Sequence, residues 1–133
     1  MRFPLPLRFE FCEPPPKLHW WSRAGHPTVA LLSAFTYVDA VFGVLTVPAG
    51  FLSDGASIPR FLWAVVGCPH DTYLRAAVIH DHLYRSAALP REWCDAVFLR
   101  ALADCGIRLG KRRLMYRAVR LFGGLSYGRG AHA

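Results

Sequence analysis

The chain has 133 residues, 53% of them apolar and 19% charged, with a formal net charge of +7 at pH 7. That composition suits one globular domain with its own core and excludes a disordered chain or a two-domain arrangement. No apolar run approaches the roughly 18–20 residues that span a bilayer, so a transmembrane segment is not expected. The opening Met1-Arg2-Phe3-Pro4-Leu5-Pro6 has two early prolines and no apolar segment followed by small residues. It does not read as a signal peptide, and synthesis and folding in a cytoplasm are expected. The cysteines, Cys12, Cys68, Cys94 and Cys105, form no C-x-x-C pair, so free thiols are expected.

In chain order, residues 1–52 read as mostly β. Leu7 to Cys12 alternates apolar and polar residues, the period of a half-buried strand. Pro14-Pro15-Pro16 breaks it and Leu18-His19-Trp20-Trp21 resumes. Thr28 to Leu32, Phe35 to Val38 and Phe42 to Val47 are β-branched or aromatic runs separated by short breaks. An antiparallel meander of four or five short strands is expected, with its pairing left open.

Residues 53–59 form a loop, Ser53-Asp54-Gly55-Ala56-Ser57-Ile58-Pro59, and 60–125 read as helical, with 126–133 a tail. Ser57 is expected to cap a short helix through Phe61 and Val66. Asp71 or Thr72 should cap the next helix, which carries Tyr73, Ala76, Ala77, His80 and Tyr84 at steps of three or four, an inward stripe. A third helix runs from about Arg91 to Cys105 and places Asp95 on the Phe98/Leu102 stripe. The last, from about Lys111 to Phe122, should pack Leu114, Met115, Val119 and Leu121 inward. The fold class is therefore α+β: an N-terminal antiparallel meander followed by three or four helices in a single domain.

A histidine on a core stripe needs a partner, because burying a polar group unpaired costs on the order of 2–7 kcal/mol. A short link favours antiparallel neighbours, which would bring Asp95 to His80. A carboxylate there fixes one tautomer and makes the other ring nitrogen a better base. Asp81 and Asp54, with backbone carbonyls of the glycine-containing loop, form an oxygen-rich set of the kind hard cations prefer. Base and cation together suffice for metal-assisted ester hydrolysis. The duller reading stays beside it: His80, Asp95 and Tyr84 as a structural polar network, Asp54-Gly55 as an ordinary turn, and His82 at the surface.

The motifs Val47-Pro48-Ala49-Gly50-Phe51, Asp54-Gly55-Ala56-Ser57-Ile58-Pro59-Arg60, His80-Asp81-x-Leu83-Tyr84-Arg85, Asp95-x-x-Phe98 and Met115-Tyr116-x-Ala118-Val119-Arg120 resemble a tailed-phage and prophage family carrying a domain of unknown function. The similarity covers roughly residues 35–123 and implies a phage or prophage origin. Asp54-Gly55, His80-Asp81-x-x-Tyr84-Arg85, Asp95-x-x-Phe98 and the Tyr116 to Gly123 segment are also similar to the helical core of bacterial and fungal secreted phospholipase A2. That resemblance implies a general base at His80, its orienter at Asp95 and support from Tyr84. It further implies Ca²⁺ on Asp81 with Asp54 or the Gly55 carbonyl, and a lipid or other ester substrate. The disulfides of those enzymes have no counterparts here, and the N-terminal β-region is foreign to them.

Two functions from different classes follow. One is a phage-encoded, phospholipase-like hydrolase. The other is a non-enzymatic tail, virion or assembly protein whose partners are phage structural proteins bound through Trp20, Trp21, Phe35 and Tyr37. The late cations Arg108, Lys111, Arg112, Arg113, Arg117, Arg120 and Arg129 read as a solvated helix face, or as a site for an anionic partner such as nucleic acid or lipid headgroups.

Overall fold

A computed structural model of the chain describes residues 2–12, 28–53, 73–125 and 127. Asp54, Gly55, the Ser57-capped helix, the candidate caps Asp71 and Thr72, Trp20 and Trp21 lie outside the described residues. Among those described, five strands precede three helices. The strands are β1 (Phe9–Cys12), β2 (Thr28–Leu31), β3 (Phe35–Asp39), β4 (Gly43–Val47) and β5 (Leu52–Ser53). The helices are α1 (Leu74–Ser86), α2 (Arg91–Asp104) and α3 (Leu109–Phe122), followed by a 3₁₀ turn at Gly123–Leu125. The arrangement is α+β, with every strand pair antiparallel.

The strands form two small sheets, β1-β2-β5 and β3-β4, in place of a single meander. The cause lies at Pro48 to Phe51. Gly50 adopts φ +85°, a left-handed conformation glycine takes at no steric cost, and the chain doubles back. Gly50 N–H then donates to Leu31 O at 2.8 Å, and Leu31 N–H donates to Phe51 O at 3.0 Å. The free edge of β2 is thus taken by β5, at the border between the β part and the loop read from the sequence, and among the described strands β3 is paired with β4.

The β3-β4 hairpin closes through Asp39, whose carboxylate accepts the Val41 and Phe42 amides at 3.0 Å each. Gly43 at φ +77° supplies the left-handed position that a three-residue hairpin loop requires. Phe35, Tyr37 and Asp39 point inward along β3 with period two. Phe35 and Tyr37 are fully buried, and Phe3 stacks on the Phe35 ring at a centroid distance of 5.8 Å. The expected aromatic docking surface is therefore core at these two residues. What the hairpin shows to solvent is Val41 and Val44.

Helix α1 lies at the centre of the molecule, packed on α2 and against β4 and β5. Its burial exceeds the single stripe of the sequence pattern: every residue from Ala76 to Asp81 is buried. A helix covered on several sides buries most of its circumference. It ends at Ala87 in a left-handed conformation, φ 49°, whose N–H donates to Leu83 O. Helix α2 is the middle of the row, touching α1 on one side and α3 on the other. Helix α3 buries Met115, Ala118 and Val119, whereas Leu121, expected in the core, is 76% exposed. Leu121 lies about 240° around the helix from Met115, which carries it off the packed face.

Candidate functional site

Because α2 is flanked by both other helices, a side chain near its start can reach each of them. Asp95 is that side chain, and its carboxylate is fully buried. Oδ1 faces His80 Nε2 of α1 at 2.8 Å and accepts the Tyr84 hydroxyl, one turn further along α1, at 2.5 Å. Oδ2 accepts Arg120 of α3 at 2.7 Å. Asp95 thus ties three helices at one point. His80 and Tyr84 share a face of α1, their rings 4.1 Å apart, and Phe98 closes the other side of the imidazole at 4.6 Å.

Burial alone would raise the Asp95 pKa. The bonds from His80, Tyr84 and Arg120 outweigh it and hold the carboxyl below its usual range. For His80 burial dominates over the attraction of Asp95 and depresses its pKa, helped by the nearby Arg91 guanidinium. The ring is neutral near pH 7, with Nε2–H donated to Asp95. Nδ1 then carries a bare lone pair, and it is buried with no hydrogen-bond partner among the described residues. Burial pushes the Tyr84 hydroxyl well above its ordinary pKa, and Asp95 adds to the shift. Tyr84 therefore stays a protonated donor.

Two residues join this site that the sequence pattern does not place there. Arg120, read there as part of the basic face, turns its guanidinium inward to Asp95. Arg91, the first residue of α2, donates through Nε to Tyr84 Oη at 3.2 Å. It also donates to the carbonyls of Val119, at 2.8 Å, and Arg120 at the end of α3. A cation at a helix N-terminus opposes the macrodipole. That anomaly was the one signal available, and the negative carbonyl end of α3 accounts for it.

Asp81, next in sequence to His80, is buried on α1, and Arg85 Nε lies 3.3 Å from its Oδ1. Arg85 also donates to Leu52 O of β5. Asp54 and Gly55, the other expected calcium ligands, lie outside the described residues. Ca²⁺ takes six to eight oxygens, and no group of three or more His, Cys, Asp or Glu among the described residues is placed to hold a metal ion. Asp81 is the right donor type, but a guanidinium already faces it. His82, expected at the surface, is half-buried with Phe51 edge-on at 5.2 Å, and burial lowers its pKa.

A second polar junction fixes the hairpin to α2. Asp39 Oδ1 and Oδ2 accept Arg100 Nε and a terminal nitrogen at 2.8 and 3.0 Å, a two-point fork. Tyr37 donates to Asp104 Oδ2 at 2.7 Å. Cys94 and Cys105 are unbridged. Burial pushes the Cys94 thiol up to about 12, which leaves it unreactive.

Residues 29–119 match the family described as "Protein of unknown function (DUF1353)". The chain belongs to that family. The DUF1353 match runs from β2 to Val119 and so takes in His80, Asp81, Tyr84, Arg91 and Asp95, stopping one residue short of Arg120. The uncharacterized protein y4jT of Sinorhizobium fredii is 33% identical over 98 residues, 73% of this chain and 29% of y4jT. A second protein of that organism, the uncharacterized y4iH, is 40% identical over 74 residues, 53% of this chain and 30% of y4iH. The chain therefore spans less than a third of the length of these curated relatives. No solved structure matches it. None of the described helices is long and apolar enough to cross a membrane.

Proposed function

We propose that this DUF1353 chain is a hydrolase of phospholipase A2-like chemistry, of phage or prophage origin, acting on a lipid or other ester. The observation that carries the reading is the bare Nδ1 of His80, buried and without a hydrogen-bond partner among the described residues. An unsatisfied buried acceptor costs about 1–3 kcal/mol, a cost that a histidine serving only to fasten helices has no reason to carry. As a base, Nδ1 takes a proton from water as the oxygen attacks the ester carbonyl. The tetrahedral intermediate then collapses, the ester C–O bond breaks, and the imidazolium returns that proton from Nδ1 to the leaving alkoxide. Asp95 fixes the tautomer through Nε2 and stabilises the imidazolium as it forms. Tyr84 and Arg120 keep the Asp95 carboxylate ionised and oriented. Calcium, when bound, would use Asp81, displacing Arg85 from it, with Asp54 or the Gly55 carbonyl, and would stabilise the oxyanion.

The test is hydrolysis of phospholipid vesicles and of short-chain aryl esters by the wild type and His80→Asn, with melting curves alongside. Turnover lost in a folded His80→Asn supports the proposal. Equal rates in the two proteins, or no turnover of either substrate by the wild type with and without calcium, would reject it.

A second reading is a non-enzymatic virion or assembly component, in which the cluster only fastens three helices. The complete burial of His80 favours it, because a base must meet water. Under this reading His80→Asn lowers stability and changes no rate.

A further inference from the structure

The formal charge of +7 is not spread along the chain. Residues 105–133 hold seven cations and no carboxylate, and the first 104 residues are neutral in sum. Five of the seven cations lie on α3. Arg120 is taken up by Asp95, and Arg112 donates to Ile107 O at 3.0 Å. Arg113 and Arg117 are exposed, one turn apart, with no ion pair to either among the described residues.

The same face carries something a merely solvated helix does not need. Leu109, Arg113, Arg117 and Leu121 follow one another at four-residue steps and so share one side of α3, opposite the buried Met115, Ala118 and Val119. Leu109 is 48% exposed and Leu121 76%, the highest value for a large apolar side chain among the described residues. The two leucines stand about 18 Å apart along the axis, with the arginines between them. Cations flanked by outward leucines fit a phospholipid surface: guanidiniums meet phosphates while the leucines enter the acyl boundary. A nucleic-acid backbone would reward the arginines alone, and sequence-tolerant strand binding needs stacking aromatics in the place the leucines occupy.

We infer that the outer face of α3, Leu109-Arg113-Arg117-Leu121, is a docking surface for anionic bilayers on which the helix lies in the headgroup plane. This surface does not depend on the hydrolase reading, since binding is measured without turnover.

The test is cosedimentation of the full chain with phosphatidylglycerol/phosphatidylcholine vesicles and with pure phosphatidylcholine vesicles, at low and high salt. Anionic vesicles should retain the protein at least about tenfold better, and salt should weaken the binding. At about fivefold per cation removed, the double variant Arg113→Glu/Arg117→Glu should lose about 25-fold or more. Leu121→Ser should lose several-fold. Both variants alter exposed side chains, so their melting temperatures should match the wild type. Absence of binding to anionic vesicles, or binding indifferent to the double variant, overturns the inference. So does duplex DNA binding that the double variant abolishes and Leu121→Ser leaves intact, which would assign the face to nucleic acid.

Discussion

Replacing Asp95 by asparagine tests the geometry of the cluster with almost no change of volume. The side chain is fully buried and accepts three bonds, from His80, Tyr84 and Arg120. An asparagine oxygen can still accept from His80 and Tyr84, but as a neutral acceptor, at roughly half the strength of a carboxylate. The amide nitrogen then faces the Arg120 guanidinium and repels it. Breaking a buried ion pair typically costs about 3–5 kcal/mol. The lower end applies because the Arg120 side chain is 34% exposed and can turn to water, which screens its share. About 3 kcal/mol in a chain of this size lowers the melting temperature by about 9–15 °C. Asp95→Ala should cost more, since it also leaves the His80 N–H and the Tyr84 hydroxyl without an acceptor. Urea and thermal unfolding of the three proteins, with the urea slope unchanged, is the assay. A melting temperature for Asp95→Asn within about 2 °C of wild type would refute the reasoning.

Gly123 lies against Tyr84, and a Cβ built there falls 2.8 Å from the Tyr84 hydroxyl oxygen. Gly123→Ala should therefore cost about 1–3 kcal/mol by overpacking and loosen Tyr84 from Asp95, read as a lower urea midpoint. Ala87 holds a left-handed conformation at the end of α1, so Ala87→Gly should stabilise by up to about 1 kcal/mol. The pH dependence has two stages. The folded pKa of His80 is depressed, so the unfolded chain takes up the proton first, and stability should fall as pH drops below about 6.5. Asp39 and Asp95 are also depressed, burial being outweighed by Arg100 at Asp39 and by His80, Tyr84 and Arg120 at Asp95. Their contribution is present above about pH 4 and lost as pH falls further. Urea titrations between pH 3 and 8 should show both stages in the wild type and, in His80→Phe, a weaker upper stage left by the half-buried His82, provided that variant folds.

The helices could be read from the sequence because their signals are local. Apolar spacing, Pro90 before α2 and Gly106 after it mark the elements, and the same spacing puts His80, Tyr84 and Asp95 on inward stripes. Sheet pairing could not be read this way. Whether β2 takes β3 or β5 as its neighbour depends on the backbone turning at Gly50, and either pairing keeps the same alternation. Long cations were equally opaque. Arg120 and Arg100 reach their carboxylates through flexible arms whose direction no periodicity records, and Asp39 reads as a turn residue until its fork with Arg100 is seen. Phe35 and Tyr37 resembled a binding surface because aromatic strands look alike whether they face a partner or their own core.

The hydrogen-bonded cluster and the proposed base both require one state of His80: neutral, protonated at Nε2 toward Asp95, and bare at Nδ1. Nitrogen-15 NMR of histidine-labelled protein reads this directly. The expected result is an Nε2–H tautomer for His80 at pH 7 that persists below pH 6.5 while the folded state lasts, with an unprotonated Nδ1. An imidazolium at pH 7, or a ring protonated at Nδ1, would contradict both the hydrogen-bond assignment and the proposed base.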